Sequence, residues 1–387
     1  MGLDLNGKEL GPGIVQRKDG KYQARYTDKQ SKRKSIYSKS LKEIKKSLGD
    51  AIYEEEHGIN GDRSSLTVDK WYAIWLEKYK RPHVRSTTIS SYVSGYKIIS
   101  SQIGTMNIST VKPIHILEII DFMHSKSYKT GTIKGLKAIL FNIFQKAYEN
   151  DLIRKNPVVG ITINGEDDKK IRVLTIDEQE IFLNEITDSW YCEFFNILLL
   201  SGLRCGEIMA LTWDCVDLEK RELYIRKTRV EVQDGNGKYI YELHPPKTRN
   251  SARMVPLSKE ALYFFDNQRK KTLKFKKINH GEFGNLIFVG RNGSMVSSTN
   301  IRKILRTKVN TINKKYNMTM EFFSPHVLRH TFATRCFESG IDIKTVSVVL
   351  GHSKTNITMD LYTHVTEENL VKEMAKLKVI GPAREVI

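Results

Sequence analysis

Residues 198–213 read LLLSGLRCGEIMALTW. The apolar run fits a buried helix that stops at Gly202, since glycine is the residue that most readily closes a helix C-terminus. A second helix begins after it, so Arg204 stands at a helix junction, with Glu207 three residues on and able to brace it. Alone, an arginine beside a glutamate is a surface pair of small energetic weight. A guanidinium at such a corner gains meaning only from what the rest of the chain brings to it.

Three further stretches bear on that. Residues 324–335 read SPHVLRHTFATR, in which Ser324 suits an N-cap and Pro325 a first helical position. His326 and Arg329 then lie one above the other near a helix N-terminus, an end that favours an anion, while His330 points elsewhere and reads as core. Residues 350–365 read LGHSKTNITMDLYTHV: His352 follows Gly351, and Tyr362 rides a short helix capped by Ser353 and buried through Ile357 and Leu361. Between these lies HPPKTRNSARMVPL, residues 244–257, where the turn TRNS separates two strands and sets Lys247 near a hairpin tip. A lysine there can reach a leaving oxygen and protonate it. Each motif is common by itself: a packed tyrosine, a solvated turn lysine, a lone His-x-x-Arg.

The chain has 387 residues, which exceeds one compact core and points to two or three domains. Sixty-three Lys and Arg against 44 Asp and Glu give a net +19, a surplus that fits a polyanionic partner such as nucleic acid. No apolar run reaches the ~18 residues of a membrane span, and the start MGLDLNGKEL carries no signal peptide or myristoylation pattern, so the chain reads as cytoplasmic. Cys192, Cys205, Cys215 and Cys336 form no CxxC pair and read as free thiols, with no structural zinc site.

Along the chain, residues 12–58 read as a small α+β unit. Tyr22, Ala24 and Tyr26 alternate with Gln23 and Arg25 as a strand does, KRKSIYS follows, and a helix opens on the capping pair Ser40 and Glu43 with Leu41, Ile44, Leu48 and Ile52 on one face. Residues 1–50 hold 13 basic and 6 acidic side chains, and a sheet exposing Arg25, Lys32, Arg33 and Lys34 suits a DNA groove. Residues 65–160 read as all-helical, with stripes Val68–Trp71–Tyr72–Trp75–Tyr79, Ile89–Tyr92–Val93–Tyr96 entered through Ser86 and closed by Gly104, a helix opened by Pro113, and Ile133–Leu136–Ile139–Leu140–Ile143–Phe144–Ala147. The loop KYKRPHVRS supplies Lys80, Arg81 and Arg85 as candidate phosphate contacts. GITINGEDDKKIR, residues 160–172, reads as a linker. A second capping box, Thr175 and Glu178, opens a mixed region: helices to about residue 211, an antiparallel patch over 216–257 turning at DGNG, then helices. After Tyr362, Leu370, Met374 and Leu377 form an apolar stripe on a terminal helix.

In this order, Arg204, Lys247, His326 with Arg329, His352 and Tyr362 make the chain resemble the tyrosine recombinase, or phage-type integrase, family. The resemblance covers residues 172–375 with specific motifs, extends to the helical segment as the family's core-binding domain, and reaches the first 58 residues as the arm-binding domain of phage and conjugative-transposon integrases. It implies a multidomain fold: a small α+β N-terminal DNA-binding domain over 1–60, an all-α core-binding domain over 64–160, and a mixed, mainly-α catalytic domain with a small antiparallel sheet over 172–380. It also implies that His352 helps bind a scissile phosphate, Tyr362 attacks it, Lys247 protonates the departing 5′-hydroxyl with His326 assisting, and Glu207 holds the fold around Arg204. The family uses no metal and no cofactor. It acts as a homotetramer on paired double-stranded DNA sites, core and arm, with an excisionase and a host DNA-bending protein as candidate partners.

The residue types suit that chemistry. Attack on a phosphodiester builds negative charge on the non-bridging oxygens, and planar guanidiniums meet it with paired donors that lysine lacks. A tyrosyl phosphodiester keeps the bond energy for rejoining, so no ATP is required. Two other readings share features: a type IB topoisomerase, which uses the same Arg, Lys, Arg, His and Tyr logic, and a sequence-specific DNA-binding regulator without catalysis.

Overall fold

The computed structural model describes residues 2–27, 32–56, 66–165, 171–233, 238–246, 252–273, 281–352 and residue 359. The chain divides into two compact units, 1–168 and 169–387. Lys247, the TRNS and DGNG turns, Tyr362 with its helix, and the terminal stripe at Leu370, Met374 and Leu377 lie outside the described residues.

The first unit opens with strands β1 (Gly2–Leu3) and β2 (Glu9–Gly11), paired antiparallel, which the sequence reading does not foresee. Strands β3 (Ile14–Gln16), β4 (Tyr22–Thr27) and β5 (Arg33–Ser38) form an antiparallel sheet in the order β3-β4-β5. Helix α1 (Leu41–Glu56) packs on it through Ile44 and Leu48, which join Leu10, Ile14 and Ala24 in one core. Ile52 departs from the expected stripe and is exposed, the inward place on that turn being taken by Ala51. The capping pair is reshaped: the Glu43 amide donates to Ser40 Oγ at 3.4 Å, but its carboxylate accepts from the Ser38 hydroxyl at 2.6 Å.

The helical part of this unit comprises α2 (Val68–Ile74), α3 (Ser86–Ile103), α4 (Pro113–Ser125) and α5 (Thr130–Glu149) around one apolar cluster. Thr67 caps α2, accepting from the Lys70 amide at 3.2 Å, and Pro113 occupies the first turn of α4. Ser86 is the first residue of α3, with Arg85 in the cap position and Gly104 closing it. Val93 is exposed, contrary to the expected stripe; Ile99 and Ile103 continue the buried face instead. The stripe from Val68 to Tyr79 changes pitch midway: Trp75–Lys80 is a π-helix, which leaves Trp75 fully buried.

The second unit begins with α6 (Ile176–Ile186), whose capping box is complete: the Glu178 amide donates to Thr175 Oγ1 at 3.1 Å and the Thr175 amide to Glu178 Oε2 at 2.9 Å. Then come α7 (Cys192–Ser201) and α8 (Cys205–Ile208). Strands β6 (Val216–Asp217), β7 (Glu222–Ile225), β8 (Thr228–Gln233), β9 (Tyr239–His244) and β10 (Arg253–Pro256) follow. They form two separate antiparallel sheets, β10-β7-β6 and β8-β9. This corrects the hairpin expected around TRNS: among the described residues β9 and β10 flank that turn but do not pair, because β10 pairs with β7 instead. Among the described residues, helices α9 (Lys259–Leu273), α10 (Ser298–Tyr316), α11 (Pro325–Glu338) and α12 (Ile343–Leu350) follow, around a core that includes Phe182, Phe195, Leu223, Phe265, Leu305 and Leu328. Ser324 takes the cap position of α11, yet its side chain makes no capping hydrogen bond.

Candidate active site

Gly202 closes α7 in the left-handed conformation, φ +62°. A Cβ there would come within 2.3 Å of the Phe332 ring, so both backbone and packing select glycine. This turn delivers Arg204 to the cap of α8. Glu207 then folds back on it: Oε2 accepts from the Arg204 amide at 2.9 Å and Oε1 from Arg204 Nη1 at 2.8 Å. The other terminal nitrogen, Nη2, reaches the Gly351 carbonyl at 3.3 Å. The Arg204 side chain keeps 37% of its surface open to solvent, against 5% for Glu207.

Arg329 comes from the first turns of α11 and is buried. Its Nη1 donates to the Gly202 carbonyl and Nη2 to the Leu350 carbonyl, each at 2.7 Å. It thereby ties the end of α7 to the end of α12. Gly351 ends α12 with φ +65°, and the His352 amide donates to the Ser347 carbonyl at 3.1 Å. The His352 ring turns back so that Nε2 lies 2.7 Å from Arg329 Nη2. Arg204, Arg329 and His352 therefore meet at one place, although about 150 residues separate the first from the last.

The sequence reading overlooked Arg253. It enters from β10, and its Nη1 and Nη2 donate to Glu207 Oε1 and Oε2, each at 3.0 Å. The available signal was the alternation in RMVP, where Val255 faces the core and Arg253 lies two residues before it, on the same side of the strand.

The site is electropositive. Its described residues bring together three guanidiniums and one carboxylate, Glu207. Burial opposes the Glu207 charge, but hydrogen bonds and charge from Arg253, with help from Arg204, hold its carboxyl below the usual range. Burial and the neighbouring Arg204 bring Arg329 down to about 9, which still leaves it charged at neutral pH. Burial together with the charges of Arg329, Arg204 and Arg253 pushes His352 down to about 3. Burial and the charges of Arg329 and Arg204 lower His326, and burial with the nearby His326 takes His330 to about 4. The His326 and His330 rings meet edge to face, 4.5 Å between centroids, so His330 is a partner of His326 rather than an isolated core residue. Such a surplus of positive charge favours an anion, which would offset the arginine charges that, together with burial, hold the imidazoles neutral.

Among the described residues, no group of three or more His, Cys, Asp or Glu side chains is arranged to hold a metal ion. Burial raises the Cys205 thiol, beside Arg204, to about 11. No helix among the described residues is long and apolar enough to cross a membrane.

The candidate DNA contacts distribute unevenly. In the β4–β5 register Arg25 faces Ser35, Gln23 faces Tyr37 and Thr27 faces Arg33, so Arg25 and Arg33 share the face away from α1. Lys34 pairs with Tyr26, on the face α1 covers, and Lys32 precedes the strand; all four basic residues are exposed. The open face also holds contacts not foreseen: Gln23 Nε2 donates to Ser35 Oγ and Tyr37 Oη, each at 3.1 Å, and the Arg17 guanidinium lies 5.5 Å from the Tyr37 ring centre. Lys80 sits 5.3 Å from the Trp75 ring centre, Arg81 pairs with Glu77 at 2.9 Å on the surface, and Arg85 is half-buried at the start of α3.

Residues 172–369 match the model described as "Phage integrase family", residues 3–51 the "DNA binding domain of tn916 integrase", and residues 67–124 the "Phage integrase, N-terminal SAM-like domain". A curated protein named tyrosine recombinase XerC-like, from Caldanaerobacter subterraneus subsp. tengcongensis, is 30% identical over 86% of this chain and 88% of its own. The transposase from transposon Tn916 of Enterococcus faecalis is 25% identical over 97% of this chain and 96% of its own. Among solved structures, the Tn1549 transposon integrase in complex with a circular intermediate DNA superposes with a TM-score of 0.69, at 26% identity, over 81% of this chain and 100% of that one. A lambda integrase tetramer bound to a Holliday junction superposes with a TM-score of 0.57 at 19% identity, over 92% and 95%, which shows a shared fold.

Proposed function

Because the chain belongs to the phage integrase family and is a tyrosine-type site-specific recombinase, we propose that it cuts and rejoins DNA through a 3′-phosphotyrosyl intermediate to integrate, and to excise, a mobile element. The observation that carries this reading is the convergence of Arg204, Arg329 and His352 around a pocket with surplus positive charge. Arg204 and Arg329 bind the non-bridging oxygens of the scissile phosphate, and His352 supports them. The Tyr362 hydroxyl attacks phosphorus and gives up its proton, which the neutral His326 imidazole can accept; the bond to the 5′-oxygen breaks, and Lys247 supplies the proton that this oxygen takes up. A 5′-hydroxyl of the partner strand then attacks the phosphotyrosine, restores a phosphodiester and releases Tyr362. Glu207 keeps Arg204 in place throughout.

We assign residues 1–60 to arm-site DNA, 64–160 to core-site DNA and 172–380 to catalysis, on the strength of the matched segments. Arg25, Lys32 and Arg33 with Lys34, and Lys80, Arg81 and Arg85, are the proposed backbone contacts. The assembly is a homotetramer on paired sites within the bacterial cytoplasm, on nucleoid DNA, with an excisionase and a DNA-bending protein setting direction. The DNA-bound and tetrameric forms of the structural relatives support the assembly.

A nicked duplex made from the element's ends tests the reading. Wild-type protein is expected to become joined to the 3′ phosphate, and Tyr362→Phe to bind the duplex equally well without joining. Sequencing the trapped DNA gives the crossover site. An adduct formed by Tyr362→Phe would remove Tyr362 from the nucleophile's role, and relaxation of supercoiled plasmid with no site preference would favour a topoisomerase.

A further inference from the structure

Arg253 is a charged side chain with 4% of its surface exposed, on a four-residue strand, and no part of the catalytic set inferred above. A buried charge is tolerated only where it is paired and fully hydrogen-bonded. Arg253 meets that condition by an unusual division of donors. Two nitrogens meet the two oxygens of Glu207 side by side, and Nε donates to the Val349 carbonyl near the end of α12. One planar guanidinium therefore links β10, the start of α8 and the segment that leads into His352.

The consequence for Arg204 follows from counting acceptor positions. A carboxylate offers about four lone-pair sites. Two on Glu207 are taken by the Arg204 amide and Nη1, and two by Arg253. With Arg253 in place, Glu207 is saturated and holds Arg204 by one terminal nitrogen. Without it, the buried carboxylate has two ways to satisfy itself. It can close on Arg204 with both oxygens, turning the fork away from a substrate, or it can take up a proton and release Arg204. Either outcome spoils the geometry of a guanidinium whose side chain is partly open to solvent and to a bound phosphate.

We propose that Arg253 is a positioning residue of this recombinase, which saturates Glu207 and anchors Val349 so that Arg204 and His352 are presented together to the scissile phosphate. The proposal rests on the reading of Arg204 as a phosphate clamp. It needs an arginine: a lysine matches the charge but cannot direct a parallel pair and a third bond along fixed lines. Among the described residues, the charged and titratable groups around the Glu207 pair include Arg204 at the cap of α8, Arg329 and His326 from α11, and His352 after α12; burial and the neighbouring arginines keep the imidazoles neutral near pH 7. Glu207 is thus the group that changes protonation when Arg253 is removed.

Full-length Arg253→Gln, Arg253→Lys, Glu207→Gln and the double variant Arg253→Gln/Glu207→Gln test it, on two readouts. The first is the rate of covalent adduct formation against pH, on a nicked duplex carrying the crossover sequence. The second is the melting temperature against pH, without DNA. Arg253→Gln is expected to lose ~tenfold or more in adduct rate, the scale of about one pKa unit of interaction, with duplex affinity unchanged. Its acid limb moves to higher pH. Its melting deficit is largest near neutral pH and narrows on acidification, because protonation removes the uncompensated charge. The double variant loses both pH effects and recovers part of the rate, and Arg253→Lys falls between wild type and Arg253→Gln. A wild-type rate in Arg253→Gln overturns the proposal, as does a loss that is uniform in pH and not relieved in the double variant. If Arg253→Gln does not fold, a folded double variant supports the proposal and an unfolded one overturns it. If wild type forms no adduct, the recombinase reading fails, while the melting curves still decide whether Arg253 holds Glu207 ionised.

Discussion

Arg329 Nη2 and His352 Nε2 lie 2.7 Å apart. A guanidinium can only donate, so Nε2 is the acceptor and the ring proton of His352 sits on Nδ1. The contact thus fixes both the charge state and the tautomer of the imidazole, and directs its remaining donor away from the arginine.

That contact makes stability depend on pH in a definite direction. His352 lies near 3 and His330 near 4 in the folded chain, through burial and neighbouring positive charge. Both are near 6.5 when unfolded. Below about pH 6.5 the unfolded chain binds protons that the folded chain refuses, so stability is full above that value and falls as pH drops towards the folded values. The melting temperature should therefore decline between pH 7 and 5. His330→Gln, which keeps polarity without a titrating ring, should flatten the decline; an unchanged slope would show that His330 does not contribute to it.

Arg204→Lys and Arg329→Lys should separate by stability although both abolish adduct formation. Arg204 is partly exposed, and its replacement costs the fold little. Arg329 is buried and serves the Gly202 and Leu350 carbonyls and His352 together. A lysine cannot reach all three, and a buried acceptor left bare costs ~1–3 kcal/mol. Chemical denaturation should find Arg329→Lys destabilised by ~2–3 kcal/mol and Arg204→Lys near wild type. Equal stabilities would mean that the contacts of Arg329 are not structural.

These residues differ in how far the sequence discloses them. Arg204 with Glu207, and His326 with Arg329, are local spacings on helix termini, where a period of 3.6 residues fixes which side chains share a face. Arg253 depends on strand register. The flanking sequence suggests a hairpin between β9 and β10, but β10 pairs with β7, and only that pairing aims Arg253 at Glu207. The KRK run that leads into β5 has the same difficulty: consecutive cations on a strand cannot both face the same side, and the register alone separates Arg33 from Lys34. Tyr72 and Trp75 read as a helical stripe, whereas the change to π-helix at Trp75 has no marker such as Pro or Gly within it. The helical stripes between residues 65 and 160 and the strand alternation at Tyr22, Ala24 and Tyr26 were legible because they need only periodicity.

Gly202→Ala should damage the site from outside it. The left-handed backbone alone penalises a side chain by ~1 kcal/mol, and the added methyl would enter the Phe332 ring. The shift would move the carbonyl that Arg329 binds and the turn that sets Arg204. A stability loss of more than ~1 kcal/mol is expected, together with a fall in adduct rate larger than the fall in duplex affinity. Wild-type stability would show that the turn relaxes freely.

The open face of the N-terminal sheet predicts an unequal ranking among Arg25, Arg33 and Lys34. Arg25 and Arg33 share that face with Gln23, Ser35 and Tyr37, whereas Lys34 lies in register with Tyr26 on the side covered by α1. If the open face meets the arm DNA, removing a phosphate contact should weaken binding and lower the salt slope by ~1 per contact, since fewer counterions are released. Arg25→Ala and Arg33→Ala in the full-length chain should therefore bind element-end duplexes more weakly, with a shallower dependence on salt, while Lys34→Ala changes both less. Gln23 is held by Ser35 and Tyr37 rather than free to reach a phosphate, and its neutral amide adds no counterion release. Gln23→Ala should then leave the salt slope unchanged. Fluorescence anisotropy over a range of salt concentrations measures all four. A Lys34→Ala slope reduced as much as that of Arg25→Ala would show that DNA approaches the edge of the sheet instead of its face.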